Sequence, residues 1–230
     1  MRRLVWFCGL LLVSAGVRAD CVVLLHGLAR TANAMEELGE RFAEAGYSVV
    51  NRGYPSREYP IEELAPLAIE EGIAECPPDA TVHFVTHSLG GILVRYYLAH
   101  ETVPRLGRVV MLAPPNQGSE VVDRMRNVPG FRLLNGPAGL QLGTGPDDVP
   151  RKLPPVEFPL GVIAGTRTFN LMLSQFLPNP DDGKVSVEST RVEGMTDFVT
   201  VPYSHPFIME REEAIDLALR FIATGRFAAP

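Results

Sequence analysis

The sequence predicts an α/β protein in which a mostly parallel sheet is covered by helices on both faces. Three features lead there. Short runs that are apolar at every position read as strands buried on both sides. Segments with apolar residues at helical spacing alternate with those runs. The chain has 230 residues, 46% of them hydrophobic, which is enough for one large core and a single domain.

In chain order, Val22-Val23-Leu24-Leu25 is the first strand, closed by His26-Gly27. A helix is expected over about 32–45, where Met35, Leu38 and Phe42 share a face and Gly46 stops it. Val49 and Val50 mark a second strand within 47–54, ended by Pro55. A helix over about 61–75 carries Ile61, Leu64, Ile69 and Ile73 on one side. Pro66 predicts a kink in it or a later start. The third strand, 81–86, runs straight into His87-Ser88-Leu89-Gly90-Gly91 and an apolar helix over 92–99. Strands follow at 109–112, 160–164 and 198–201, and a last helix is expected over about 206–224. The interval between Pro114 and Pro159 breaks the alternation. It is rich in Gly and Pro yet holds Val121, Val122, Met125, Phe131, Leu133, Leu134, Leu140 and Leu142. So apolar a loop is expected to form a small cap over about 115–158, the alternative being a surface excursion packed on the sheet.

The formal charge is −6, and no basic face of the kind nucleic acid requires is evident, so no nucleic-acid partner is expected. Residues 1–19 read as a signal peptide: Arg2 and Arg3 precede the uncharged apolar stretch 4–17, and Val17-Arg18-Ala19 offers small residues at the cleavage positions. An uncleaved anchor is the alternative, although the stretch is short of the ~20 residues a span needs. Cleavage after Ala19 would export the chain to the periplasm or medium, with domain 20–230 beginning at Asp20 and its charge near −9 once Arg2, Arg3 and Arg18 leave. Cys21 and Cys76 would remain. Two cysteines in an exported protein suggest a disulfide, and two free thiols are the alternative.

Ser88 carries the chemistry. It sits between a strand and a helix, with Gly90 and Gly91 supplying the small residues a sharp reversal needs. Its hydroxyl is expected at the carboxyl edge of the sheet, beside free N–H groups at a helix start that favour developing negative charge. Thr86-His87-Ser88-Leu89-Gly90 resembles the G-x-S-x-G elbow of the α/β-hydrolase superfamily, particularly small bacterial lipases and esterases and the related lipid deacylases, with Thr86 in place of the first glycine. Leu25-His26-Gly27-Leu28 and the segment from Leu112 to Ser119 resemble further strand-end motifs of that superfamily. The resemblance implies an α/β-hydrolase fold and an oxyanion hole made by the backbone N–H groups of Leu28 and Leu89.

A serine nucleophile needs a base, and the base an orienting acid. His26 belongs to the oxyanion loop and His87 to the elbow; His83 lies within a strand and His100 ends a helix. His205, in the loop before the last helix, stands where this fold places its catalytic histidine. Asp181-Asp182-Gly183-Lys184-Val185 resembles the D-G-x-V segment of lipases, which implies Asp182 as the acid, with Asp181 its near competitor. Asp147, Asp148 and Asp197 read as solvated charges. The expected reaction is cleavage of small-molecule or lipid esters by a Ser88–Asp182–His205 triad, with transient contact to a lipid surface. No metal or organic cofactor is called for, and Asp181 with Asp182 are too few ligands for calcium. Acyl transfer or thioester cleavage on the same residues, or a silent binding module, are the alternatives.

Overall fold

The computed structural model describes residues 19–228, so the predicted export segment up to Arg18 lies outside the described residues. Among the described residues six strands form one sheet: β1 (Cys21–Leu25), β2 (Ser48–Asn51), β3 (Val82–His87), β4 (Leu106–Leu112), β5 (Leu160–Gly165) and β6 (Asp197–Val201). They lie in the order β2-β1-β3-β4-β5-β6, and every neighbouring pair is parallel. The helices between them are α1 (Glu36–Glu44), α2 (Ile61–Ala74), α3 (Leu89–His100), α4 (Glu120–Met125), α5 (Phe131–Leu140), α6 (Val149–Lys152), α7 (Leu171–Ser174) and α8 (Glu212–Thr224). Among these residues no helix is long and apolar enough to cross a membrane.

The apolar strands are apolar throughout because both sheet faces are covered. Cys21, Val23 and Leu25 of β1 pack with α2 and α3, whereas Val22 and Leu24 face the opposite way, toward α1 and α8. Each core side chain withdrawn from water in this way contributes roughly 1.5–3 kcal/mol. Cys21 is bonded to Cys76, with their Cα atoms 5.8 Å apart, which ties the end of α2 to the first strand.

Three expectations need correction. The second helix begins at Ile61 and runs through Pro66 without a later start. Proline forfeits one helical hydrogen bond, and the buried face of Ile61, Leu64, Ala65, Ala68 and Ile69 outweighs that loss. The last helix is two pieces: 3₁₀ turns over His205–Glu210, an extended Arg211, then α8. Glu212 and Glu213 in the first turn of α8 favour a fresh helix start there. Asp148 and Asp197 are not solvated charges. Asp148 is buried and accepts from Arg126 (2.8 Å) and Gly145 N–H (2.9 Å), and Asp197 accepts from the N–H groups of Phe198 and Phe227, both at 2.8 Å. Asp147 is fully open to solvent, 3.7 Å from Lys152.

The interval 115–158 folds into α4, α5 (kinked at Gly136) and α6. Arg95, buried on α3, holds both of its ends. Its guanidinium donates to Asn116 O (2.9 Å) and Oδ1 (3.2 Å) at one end and to the carbonyls of Leu153 (3.4 Å) and Pro154 (3.2 Å) at the other. Burial pulls the Arg95 pKa down to about 10, still cationic at neutral pH.

Candidate active site

The sheet order reverses direction between β1 and β3, since β1 is followed by β2 on one side and β3 lies on the other. A crevice at the carboxyl ends of the strands is expected at such a point. His26, Gly27 and Leu28 leave β1 there, and Ser88 leaves β3 beside them.

Ser88 has φ 53° and ψ −117°, a left-handed conformation that a non-glycine residue adopts only at a cost of about 1–3 kcal/mol. Its N–H is held by Leu112 O at 2.9 Å, and α3 starts at the next residue. Gly90 lets that helix dock: a Cβ there would stand 2.6 Å from Leu25 O. Thr86 is accommodated because its side chain turns into the sheet, buried, with Oγ1 donating to Val110 O at 3.4 Å.

The structure brings together the three side chains singled out in the sequence. Ser88 Oγ lies 3.0 Å from His205 Nε2, and His205 Nδ1 lies 2.8 Å from Asp182 Oδ2. With Nδ1–H donating to the carboxylate, Nε2 is left to accept from the hydroxyl. Asp182 Oδ1 accepts the N–H groups of Lys184 (2.9 Å) and Val185 (2.8 Å). Asp181 turns elsewhere, toward Ser174 Oγ (2.6 Å) and Gly183 N–H (2.7 Å). Among the described residues, the N–H groups of Leu28 and Leu89 donate to no protein acceptor.

The surrounding histidines are scaffold. His26 stacks on Tyr54 with ring centroids 4.1 Å apart, takes the Tyr54 N–H at Nε2 (3.2 Å) and donates from Nδ1 to Gly27 O (2.8 Å). Burial keeps it below the ordinary histidine range, hence neutral. His87 donates from Nε2 to His205 O at 2.9 Å, and burial followed by the nearby His205 holds its pKa well below the usual value. His83 is buried in β3, accepting from Arg108 N–H at 2.9 Å. His100 closes α3 with its ring Nδ1 2.7 Å from Tyr96 O. The His205 loop is fixed further by its own N–H on Asp182 O (3.0 Å) and by Arg30 on Pro206 O (3.1 Å).

A cleft of about 110 Å³ opens over Ser88 and His205. Val121, Val122 and Phe131 line one part of it, and Arg30 and Lys184 another. Clefts that engulf drug-sized ligands measure roughly 300–1,000 Å³, so this one houses a reacting group and its immediate neighbours. The sequence reading passed over Arg30 and Lys184. Each stands two residues beyond a motif position, Leu28 and Asp182, and that proximity was the available signal. Among the described residues no group of three or more His, Cys, Asp or Glu side chains is arranged to hold a metal ion.

Comparison with known proteins agrees with this architecture. The model of the alpha/beta hydrolase family matches residues 22–218. No curated protein matches the chain in sequence. Among solved structures, the mature form of Bacillus licheniformis lipase BlEst2 superposes with a TM-score of 0.65 at 19% identity, covering 89% of this chain and 92% of that one. The metagenomic carboxyl esterase MGS0156 gives a TM-score of 0.61 at 19% identity, covering 83% and 65%. Phospholipase PlaB from Legionella pneumophila gives 0.57 at 20% identity, covering 75% and 46%. At these identities the likeness is one of fold.

Proposed function

The chain belongs to the alpha/beta hydrolase family, and on that footing we propose that it hydrolyses carboxylic esters through an acyl-enzyme on Ser88. The observation that carries the reading is the unbroken array from Ser88 Oγ through His205 to Asp182, at 3.0 and 2.8 Å. In this mechanism His205 takes the Ser88 proton as Oγ attacks the ester carbonyl, and Asp182 stabilises the charged imidazole. The N–H groups of Leu28 and Leu89 receive the oxyanion. His205 then protonates the departing alkoxide, and water, activated by the same histidine, releases the acid.

Residues 115–158 act in this reading as a cap that supplies the apolar wall of the cleft through Val121, Val122 and Phe131. A cleft too small for a whole lipid, with Leu133 (83% exposed) and Leu134 (65% exposed) on α5 beyond Phe131, supports acyl esters as substrates and brief contact with a lipid surface. The Cys21–Cys76 bond supports an oxidising, exported destination, with residues 1–19 as the removable signal.

The test is hydrolysis of p-nitrophenyl esters from short to long acyl chains by wild type and Ser88→Ala. Wild type is expected to turn them over and the variant to lose about 10³-fold or more in kcat. Full activity in the variant, or a wild-type protein that neither cleaves any ester nor takes up a fluorophosphonate, refutes the reading.

A further inference from the structure

Arg30 and Lys184 both line the cleft over Ser88, and no carboxylate lines it with them. The one protein partner of the Arg30 guanidinium among the described residues is the neutral carbonyl of Pro206, at 3.1 Å. The carboxylate whose charge acts on Lys184 is Asp182, whose oxygens already serve His205 and two backbone N–H groups. Desolvation, then the Arg30 charge, holds the Lys184 ammonium below the ordinary lysine range, so the two cations feel each other across the cleft. Arg30 is half-buried and Lys184 stands exposed at the rim of the cleft, and neither forms an ion pair among the described residues. They repel one another unless an anion lies between them.

We infer that the ester taken by this site carries a phosphate on its alcohol side. The inference rests on the proposed hydrolysis. The side of the substrate follows from the proton path: the C–O bond to the alcohol breaks as the Ser88–acyl bond forms, and the alkoxide must take its proton from His205 Nε2. The leaving alcohol therefore lies against the His205 loop, and both cations flank that loop. Arg30 grips Pro206, and Lys184 follows the Asp182–Gly183 turn. Part of the apolar lining, Val121, Val122 and Phe131, comes from a separate segment, α4 and α5, and suits the acyl chain. A guanidinium and an ammonium together match a phosphate, which offers several acceptor oxygens and up to two negative charges.

The experiment compares kcat/KM for a short-chain acyl glycerol phosphate with that for the matching neutral acyl glycerol, using the full chain. The phosphate ester is presented both as monomers and in vesicles of ether-linked phosphatidylcholine, which carries no carboxylic ester of its own. Wild type is expected to favour the phosphate ester about tenfold or more as monomers, and Lys184→Gln and Arg30→Gln each to reduce that ratio several-fold through KM. Arg30→Lys is expected to keep most of it. Equal rates on both glycerol esters, or a preference that survives Lys184→Gln, overturns the inference. So does a preference confined to vesicles, which would belong to surface attraction. Cleavage of p-nitrophenyl esters in the same preparation separates these failures from failure of the hydrolase reading itself.

Discussion

Asp181 and Asp182 share one chemistry and adjacent positions, and hydrogen bonding alone divides their work. Asp182 spends one oxygen on His205 and the other on two backbone N–H groups, while Asp181 braces Ser174 and the Gly183 turn. Asp182→Asn is therefore expected to lower kcat by about 10⁴ by favouring the wrong imidazole tautomer. Asp181→Asn should lose stability and little rate, and steady-state kinetics on one ester beside urea melts would reveal a reversed pattern. The sequence pointed to Asp182 through the glycine that follows it, but nothing in it shows that His87 would grip the His205 carbonyl, because that contact spans 118 residues. His26, His83 and His87 are all held below the ordinary value of 6.5, burial being the largest cause in each. As pH falls below about 6.5 the unfolded chain takes up protons that these buried rings refuse, so each contributes a loss of up to about 1.4 kcal/mol per pH unit. Above that pH these rings are neutral in both states and their contribution is flat. The urea midpoint should fall between about pH 7.5 and 5.5, less steeply in His83→Gln; a midpoint that does not move contradicts the assignment of neutral buried rings.

Helix α3 depends on an approach that only glycine permits. A Cβ on Gly90 would meet the Leu25 carbonyl oxygen at 2.6 Å and Leu25 Cβ at 2.9 Å, both on the interior strand β1. Gly90→Ala is expected to cost about 1–3 kcal/mol through overpacking, and activity should fall with it because Ser88 opens that helix. Gly53, whose added Cβ would meet nothing nearer than 3.9 Å, is the control, and its alanine variant should melt close to wild type. Equal melting temperatures for the two variants would deny the steric account. The strands were legible because each holds a short apolar run, continuous over β1 and over 109–112 of β4 and interrupted by His83 and Thr86 in β3. The end of the chain was less so: 3₁₀ turns over His205–Glu210 and an extended Arg211 interrupt what reads as one helix, since Pro206 and apolar Ile208 and Met209 suit either form. Residues 166–196 carry little periodicity at all. Their short turns are set by side-chain hydrogen bonds such as Asn170 on Leu173 N–H and Ser186 on Ser189 N–H, which no hydrophobic spacing announces.

For the whole molecule, the Cys21–Cys76 bond closes a stretch of 55 residues that contains β1, α1, β2 and α2. Closing a loop of that length removes about 4 kcal/mol of chain entropy from the unfolded state. Cys21→Ala with Cys76→Ala should lower the urea midpoint accordingly, and an unchanged midpoint would assign the bond no role in stability. The parallel architecture was legible from alternating elements, whereas the fold of the 115–158 interval was not, being pinned by Arg126, Asp123 and Asp148 and not by a regular apolar face. Arg95 gives that interval a further property. Both of its ends terminate on one guanidinium, carried by the helix that Ser88 begins. The stretch between them is thus an insert seated in a fixed socket. Its length and sequence can change while Ser88, His205 and the sheet stay in register. On the proposed function, exchange of the insert would alter which esters enter, while the reaction at Ser88 stays unchanged.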